Sequence, residues 1–323
     1  MTTGQGDPDL PDCAADPADC GAGAYAAQDV GPTGAGLPDR VCVDAAAPVG
    51  GDGSLAKPLQ SPAAAVALAD QQTQVAVVAV AAGSCVGTLR FKRSLSVRGR
   101  CADKVRLSSP SGGVTVAVAG GSGVTVAVAG LGFRGPGAAL QVAEGARLIA
   151  SRIVVSKVEQ TAVAAYDAGT QLSLSDVYIV DTQLEPSDPQ GAVSVWAADG
   201  ARIIALRTRV SRGRFAGLYA TETSEIAARE LIVDGTQMAV SIKSGMGLYA
   251  NDGSTIRIVQ GRIDKVRASG VSSTGGTVRM AGVRFDGSLG QPPIELLSGA
   301  VNVVDGGDVT PQIPHRNLPR ASI

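Results

Sequence analysis

The chain repeats itself. Six apolar residues, Leu148, Leu172, Ile203, Ile226, Ile256 and Val278, each follow a polar turn, at steps of 24, 31, 23, 30 and 22 residues. The segments leading to them read ALQVAEGARL, AVAAYDAGTQL, VSVWAADGARI, GLYATETSEI, GLYANDGSTI and GVSSTGGTV. Each is a short alternating strand, a polar turn and a second apolar strand. A unit of 22 to 24 residues without a helical stretch cannot bury its apolar face alone, so it must stack on its own neighbours. Leucine-rich repeats need a denser Leu pattern with an Asn, and propeller repeats run to roughly 40 residues. What remains is an all-β solenoid, a single-stranded parallel β-helix, right-handed by the usual crossover rule.

Composition agrees with stacked strands. Hydrophobic residues make up 45% of the chain but aromatic ones only 3%, and 42 of 323 residues are glycine. The apolar content is therefore Ala, Val, Leu and Ile, small or branched side chains that suit closely layered strands. The formal charge of −1 favours neither nucleic acid nor an anionic membrane, and no nucleic-acid partner is expected. No apolar run approaches the ~18 residues of a membrane span. The first ten residues, MTTGQGDPDL, show no basic region followed by an apolar stretch, so no signal segment is expected in this chain.

Four regions follow from the pattern. Residues 1–40 form a Gly- and Pro-rich leader with cysteines and no apolar periodicity, expected to be loosely ordered. Residues 41–74 hold a first strand and a short helix over Ser61–Gln71 that caps the coil, with Ser61 as N-cap and Pro62 at the first helical position. The β-helix runs over 75–300, and 301–323 is a C-terminal tail. GVTVAVAG occurs at both 113–120 and 123–130 and reads as duplicated strand, since no Lys-Ser/Thr follows as in a phosphate loop.

The five cysteines, at 13, 20, 42, 85 and 101, match no zinc spacing, and the only histidine is His315. Disulfides in an oxidising compartment are the better reading. Spacing leaves their connectivity open, with three pairings for each choice of the leftover cysteine.

The stretch VCVDAAAPVGGDGSLAKPLQSPAAAVALAD, followed by VAVAAGSCVGTLRF and SLSVRGRCADKV, resembles the pectin-lyase-like β-helix repeat proteins that bacteria secrete or display as lipoproteins. The resemblance spans about residues 20–290 and implies an extracytoplasmic location with no assigned activity. The chain departs from that pattern at Cys42 and Cys85, where an aromatic residue is common. Set against the family, the two departures suggest a Cys42–Cys85 bridge, with Cys20–Cys101 as the second.

The candidate site is a ladder of rings. Aligned by their turns, Trp196, Tyr219 and Tyr249 take the same place in three successive coils, while Val195, Leu218 and Leu248 beside them point the other way. If the aliphatic set fills the core, the rings form an exposed stripe that suits the apolar faces of sugars. The insertions Gln183–Gln190 and about Gln237–Gly245 enter just before ring-bearing strands and would wall a groove above them. Lys157, Asp181, Arg212 and Lys265, with Asp234 one place out of step, form a ladder of alternating charge expected to be a solvated face. Glu144, Asp199, Glu222 and Asp252 recur at equivalent turns, with Asp167 beside the gap at Ala168. Carboxylates suit Ca²⁺, but Asp is an ordinary turn former and the ligand count is poor, so neither metal nor cofactor is expected.

Catalysis has little to stand on. Glycoside hydrolysis wants two carboxyls roughly 5–9.5 Å apart, yet the outer strand positions hold Gln141, Trp196, Tyr219 and Tyr249. Arg207, Arg209, Arg212 and Arg214 supply cations without an evident acidic partner set for lyase chemistry. His315 has no nucleophile near it in the pattern, so a hydrolase triad is not expected. The expectation is a non-enzymatic exported protein with a binding or structural role and a polysaccharide or cell-surface glycan as partner. A polysaccharide-active lyase or hydrolase of the same fold is the alternative.

Overall fold

The computed structural model describes residues 25–26, 38–110, 112–184, 192–237, 245–286 and 294–304. Among these residues twenty-one strands join in one continuous sheet, and every pairing between them is parallel. The chain is thus a parallel β-helix, winding round three walls. The first wall starts with Arg40–Val43, Val77–Val80, Leu95–Gly99 and Thr125–Ala129. The second starts with Gly83–Val86, Val105–Ser108 and Gly132–Arg134. From Arg147–Ser156 onward one long strand serves both, its first half pairing on the first wall and its second half on the second. The third wall stacks Leu89–Phe91, Val116–Ala119, Leu140–Ala143, Thr161–Ala165, Val193–Ala197, Ala216–Ala220, Met246–Asn251 and the start of Val271–Asp286.

The bend inside each long strand is made by one residue with positive φ: Arg152, Asp176, Arg207, Glu230 and Gln260 in turn, at 46° to 62°, and then Gly282. The turn that leaves the second wall uses the same device at Lys157, Asp181, Arg212 and Lys265, with Gly235 in the remaining coil. A left-handed residue reverses the chain in one step, which is how a wall can end without a loop. Asp234 is out of step in the sequence because Gly235 holds the turn position in its coil.

All six repeat anchors lie in register on the first wall and are fully buried. Val163, Val195, Leu218 and Leu248 do the same on the third wall. Each such side chain contributes about 1.5–3 kcal/mol when fully buried. The duplicated octapeptide builds two different walls, Val116–Ala119 on the third and Thr125–Ala129 on the first. Val116 and Val118 face the core in one copy, and Val126 and Val128 do so in the other.

The helix runs over Pro62–Gln71, with Ser61 accepting from the Ala64 N–H and Pro62 opening the first turn. Its buried face, Pro62, Ala65, Val66 and Ala69, packs on the first core strands. No basic residue lies in its last turn. The cation comes from elsewhere: Arg93 donates to the carbonyls of Ala69 (3.1 Å from Nε), Gln72 (3.2 Å) and Val75 (2.5 Å). That complements the negative end of the helix.

The Cys42–Cys85 bridge does not form, and alternation is the reason. Val41 and Val43 face the core, so Cys42 between them points outward, into a small cluster with Tyr25, Ala79 and Ala81. Cys85 points inward into the main core. The two are buried thiols on different walls, one facing out and the other in. Cys101 is disulfide-bonded, while Cys13 and Cys20 lie outside the described residues. So do nearly all of the leader, most of both insertions, and the tail from residue 305 on with His315; residues 301–304, expected in the tail, instead continue the last strand, Ile294–Val304. Of the leader's described residues, Tyr25 and Ala26 are buried, while Pro38, Asp39 and Arg40 are not. Among the described residues no helix is long and apolar enough to cross a membrane.

Candidate functional site

The three rings lie in one row on the third wall: Ala164 pairs with Trp196, Trp196 with Tyr219, Tyr219 with Tyr249, and Tyr249 with Ser272. Each ring is half-buried on the outer side, while Val195, Leu218 and Leu248 are sealed in the core. The stripe expected from alternation is therefore present, bounded by a small residue at either end.

Its geometry differs from a platform of open ring faces. Trp196 and Tyr219 stack with centroids 6.0 Å apart and planes 13° apart. Tyr219 and Tyr249 stack at 5.0 Å and 7°. Strands ~4.8 Å apart bring identical rings close enough to cover one another's faces. Ring edges and polar tips are what the stripe offers outward. Two further rings brace it edge-on: Tyr166 against Trp196 at 5.4 Å and 78°, and Phe215 against Tyr219 at 5.8 Å and 84°. Phe215 also meets Tyr249, at 6.4 Å and 82°. Such contacts add about 0.5–1.5 kcal/mol per pair beyond burial. Sequence reasoning missed Tyr166, Phe215 and Asn251. Following the alternation two residues past Tyr249 would have found Asn251.

Polar groups finish the surface. Asn251 donates to the Tyr219 hydroxyl from Nδ2 at 3.2 Å, while its Oδ1 and the Trp196 Nε1 lack partners. Burial raises the Tyr219 phenol above its ordinary range, against hydrogen bonds from Thr221 and Asn251 that lower it. Burial, with Asp199 adding to it, pushes the Tyr166 phenol up to about 12. Both phenols are neutral donors at physiological pH.

Three residues beyond each ring stands a carboxylate: Asp199 after Trp196, Glu222 after Tyr219, Asp252 after Tyr249. Asp167 and Glu144 continue the row on earlier coils. All five are exposed turn residues with positive φ, from 48° to 71°. Their turn role is met: the Glu144 N–H donates to the Asp167 carboxylate at 2.8 Å, and the Thr221 hydroxyl donates to Asp252 at 3.4 Å. Glu222 hydrogen-bonds Asp199, and that contact and its charge, with Asp252 behind, lift the Glu222 carboxyl above the usual carboxylate range. Among the described residues no group of three or more His, Cys, Asp or Glu converges as metal ligands would.

The charge ladder lies away from this surface. Asp181 and Arg212 pair across coils at 2.7 Å, and Asp234 pairs with Arg209 at 2.9 Å. A second ladder, not foreseen, runs along the bends, where Arg207 forks onto Asp176 at 2.5 and 2.8 Å.

Fold and site together define a parallel β-helix carrying a ring-and-carboxylate row on one wall. No family model matches the chain, and no curated protein matches it. Among solved structures it is similar to pectate lyase Pel9A, at 12% identity over 86% of this chain and 81% of that one, with a TM-score of 0.46. It is also similar to the catalytic domain of a GH87 α-1,3-glucanase in complex with tetrasaccharides, at 9% identity over 77% and 67%, with a TM-score of 0.37. A third is tailspike protein 3 of bacteriophage CBA120, at 9% identity over 82% and 59%, with a TM-score of 0.26. These likenesses concern the fold alone.

Proposed function

We propose that the chain is an exported, non-enzymatic glycan-binding β-helix that holds a linear polysaccharide along its third wall. One observation carries this reading: the pairs Trp196/Asp199, Tyr219/Glu222 and Tyr249/Asp252 repeat in register on three consecutive coils. A linear lattice of similar ring-plus-carboxylate units suits a linear polymer of repeating sugars. Ring edges exclude water from the sugar's C–H surface, and carboxylates accept from its hydroxyls. The stack is rigid before the ligand arrives, which lowers the ordering cost of binding. Disulfide formation and a polysaccharide partner both accord with export.

Glu222 favours a second reading, a polysaccharide-active enzyme. An exposed carboxyl that keeps its proton above the ordinary range is a candidate general acid. The rings and carboxylates repeat on three coils instead of opposing one another as the pair of acids ~5–9.5 Å apart that glycoside hydrolysis uses, so the binding reading is preferred. A glycan array of wild type beside Trp196→Ala/Tyr219→Ala/Tyr249→Ala, with reducing-sugar release on the same substrates, separates the two. Binding lost in the variant without sugar release is the expected result. Sugar release abolished by Glu222→Gln would establish the enzyme instead.

A further inference from the structure

The row of carboxylates speaks to the charge of the ligand. Five successive coils place an acid at the turn bordering the third wall, each exposed, and no lysine or arginine occupies those turn positions. The neighbours that act on Glu222 are themselves acids, Asp199 and Asp252, with no cation among them. Along the bends and the second wall three carboxylates are matched by arginines: Asp176 with Arg207, Asp181 with Arg212, Asp234 with Arg209. Beside the rings carboxylates are stacked on one another. Like charges on adjacent coils cost stability, and a ligand that neutralises them recovers it. A polyanion laid along the same wall would meet repulsion at every coil.

Resting on the reading of this wall as a glycan site, we infer that its ligand is a polymer of amino sugars bearing free ammonium groups, and that uronate polymers are excluded. The ammonium groups pair with Asp199, Glu222 and Asp252, while Trp196, Tyr219 and Tyr249 line the sugar backbone on the same coils. The regular spacing of the acids matches a charge carried on each successive sugar. No metal ion is needed for this recognition.

Calorimetric titration with three oligosaccharides of equal length tests it: fully deacetylated glucosamine, its N-acetylated counterpart and galacturonate. The expected order is deacetylated tightest, acetylated weaker, galacturonate undetectable. Three exposed ion pairs correspond to about threefold to a hundredfold in affinity, and raising the salt should erase that margin in the wild type. Asp199→Asn/Glu222→Gln/Asp252→Asn keeps residues tolerated in the turns and should bind both glucosamine oligomers alike. The salt titration needs no variant, so misfolding of the triple variant cannot mask the answer. Equal wild-type affinity for the two glucosamine oligomers, or binding of galacturonate, overturns the inference while leaving glycan binding intact. Silence toward all three, and toward a neutral-glycan array, removes the glycan reading and this inference together.

Discussion

At the scale of single residues, the turns hold the clearest trade. Among the described residues sixteen non-glycine residues take positive φ, a conformation that costs an L-residue about 1–2 kcal/mol relative to glycine's free access to it. The column of Lys157, Asp181, Arg212 and Lys265 contains its own control, because Gly235 fills the same turn one coil before Lys265 at φ 63°. Lys265→Gly is therefore expected to stabilise the fold by about 0.5–1 kcal/mol, read as a rise in denaturant midpoint. A fall would mean that the lysine side chain matters more than its backbone strain. Glu222 supplies a pH signature at the same scale. Its carboxyl is raised in the folded chain, so the protonated form is favoured by folding. Its stabilising share is complete below the ordinary glutamate range and is lost as pH rises through the raised folded value. Urea midpoints measured across mildly acidic pH should show this slope in wild type and a flatter one in Glu222→Gln; identical slopes would refute the raised Glu222 carboxyl.

At the scale of elements, the helix is tied down by a residue far along the chain. Arg93 reaches three carbonyls at the end of Pro62–Gln71, and hydrogen bonds from a charged donor are worth about 1.5–3 kcal/mol. Arg93→Met should lower stability by about that amount and speed amide exchange in the helix's last turn before the rest of the coil. Uniform exchange would show that the clamp is incidental. The helix itself was legible, because Ser61 and Pro62 mark its start; its clamp was not, since nothing local links Arg93 to Ala69. The ring row was legible for a similar reason: alternation fixes Trp196, Tyr219 and Tyr249 opposite Val195, Leu218 and Leu248. Whether rings in one row show faces or edges depends on strand spacing and side-chain rotamers, which no sequence pattern carries. The bends were invisible too, because Arg152, Asp176, Arg207, Glu230 and Gln260 share a backbone angle and no common residue type that marks a turn. Cys42 misled because a family departure was weighed above the strand alternation that turns it away from Cys85.

At the scale of the whole molecule, cohesion runs along one axis. One staple adds to it: Cys101 is disulfide-bonded, and Cys20 is our proposed partner. Non-reducing peptide mapping should recover that pair, and Cys101→Ser should cost about 2–4 kcal/mol; a Cys13–Cys101 peptide would replace the assignment. The rest of the stability comes from buried columns such as Leu172, Ile203, Ile226 and Ile256, each fully buried and paired only with the residue above and the residue below. Such a stack behaves as a chain of nearest-neighbour terms. Any one of these positions changed to alanine should cost about 2–5 kcal/mol, the usual loss for a buried aliphatic side chain. The distinguishing quantity is how two losses combine. Ile203→Ala and Ile226→Ala enlarge one shared void, so their double variant should depart from additivity by about 0.5–3 kcal/mol. Leu172→Ala and Ile256→Ala lie three coils apart with Ile203 and Ile226 intact between them, and should add within about 0.5 kcal/mol. Chemical denaturation of the four single and two double variants reads both numbers. Strong coupling of the distant pair would show that the column responds as one body, and that a ligand seated on the third wall stiffens coils it does not touch.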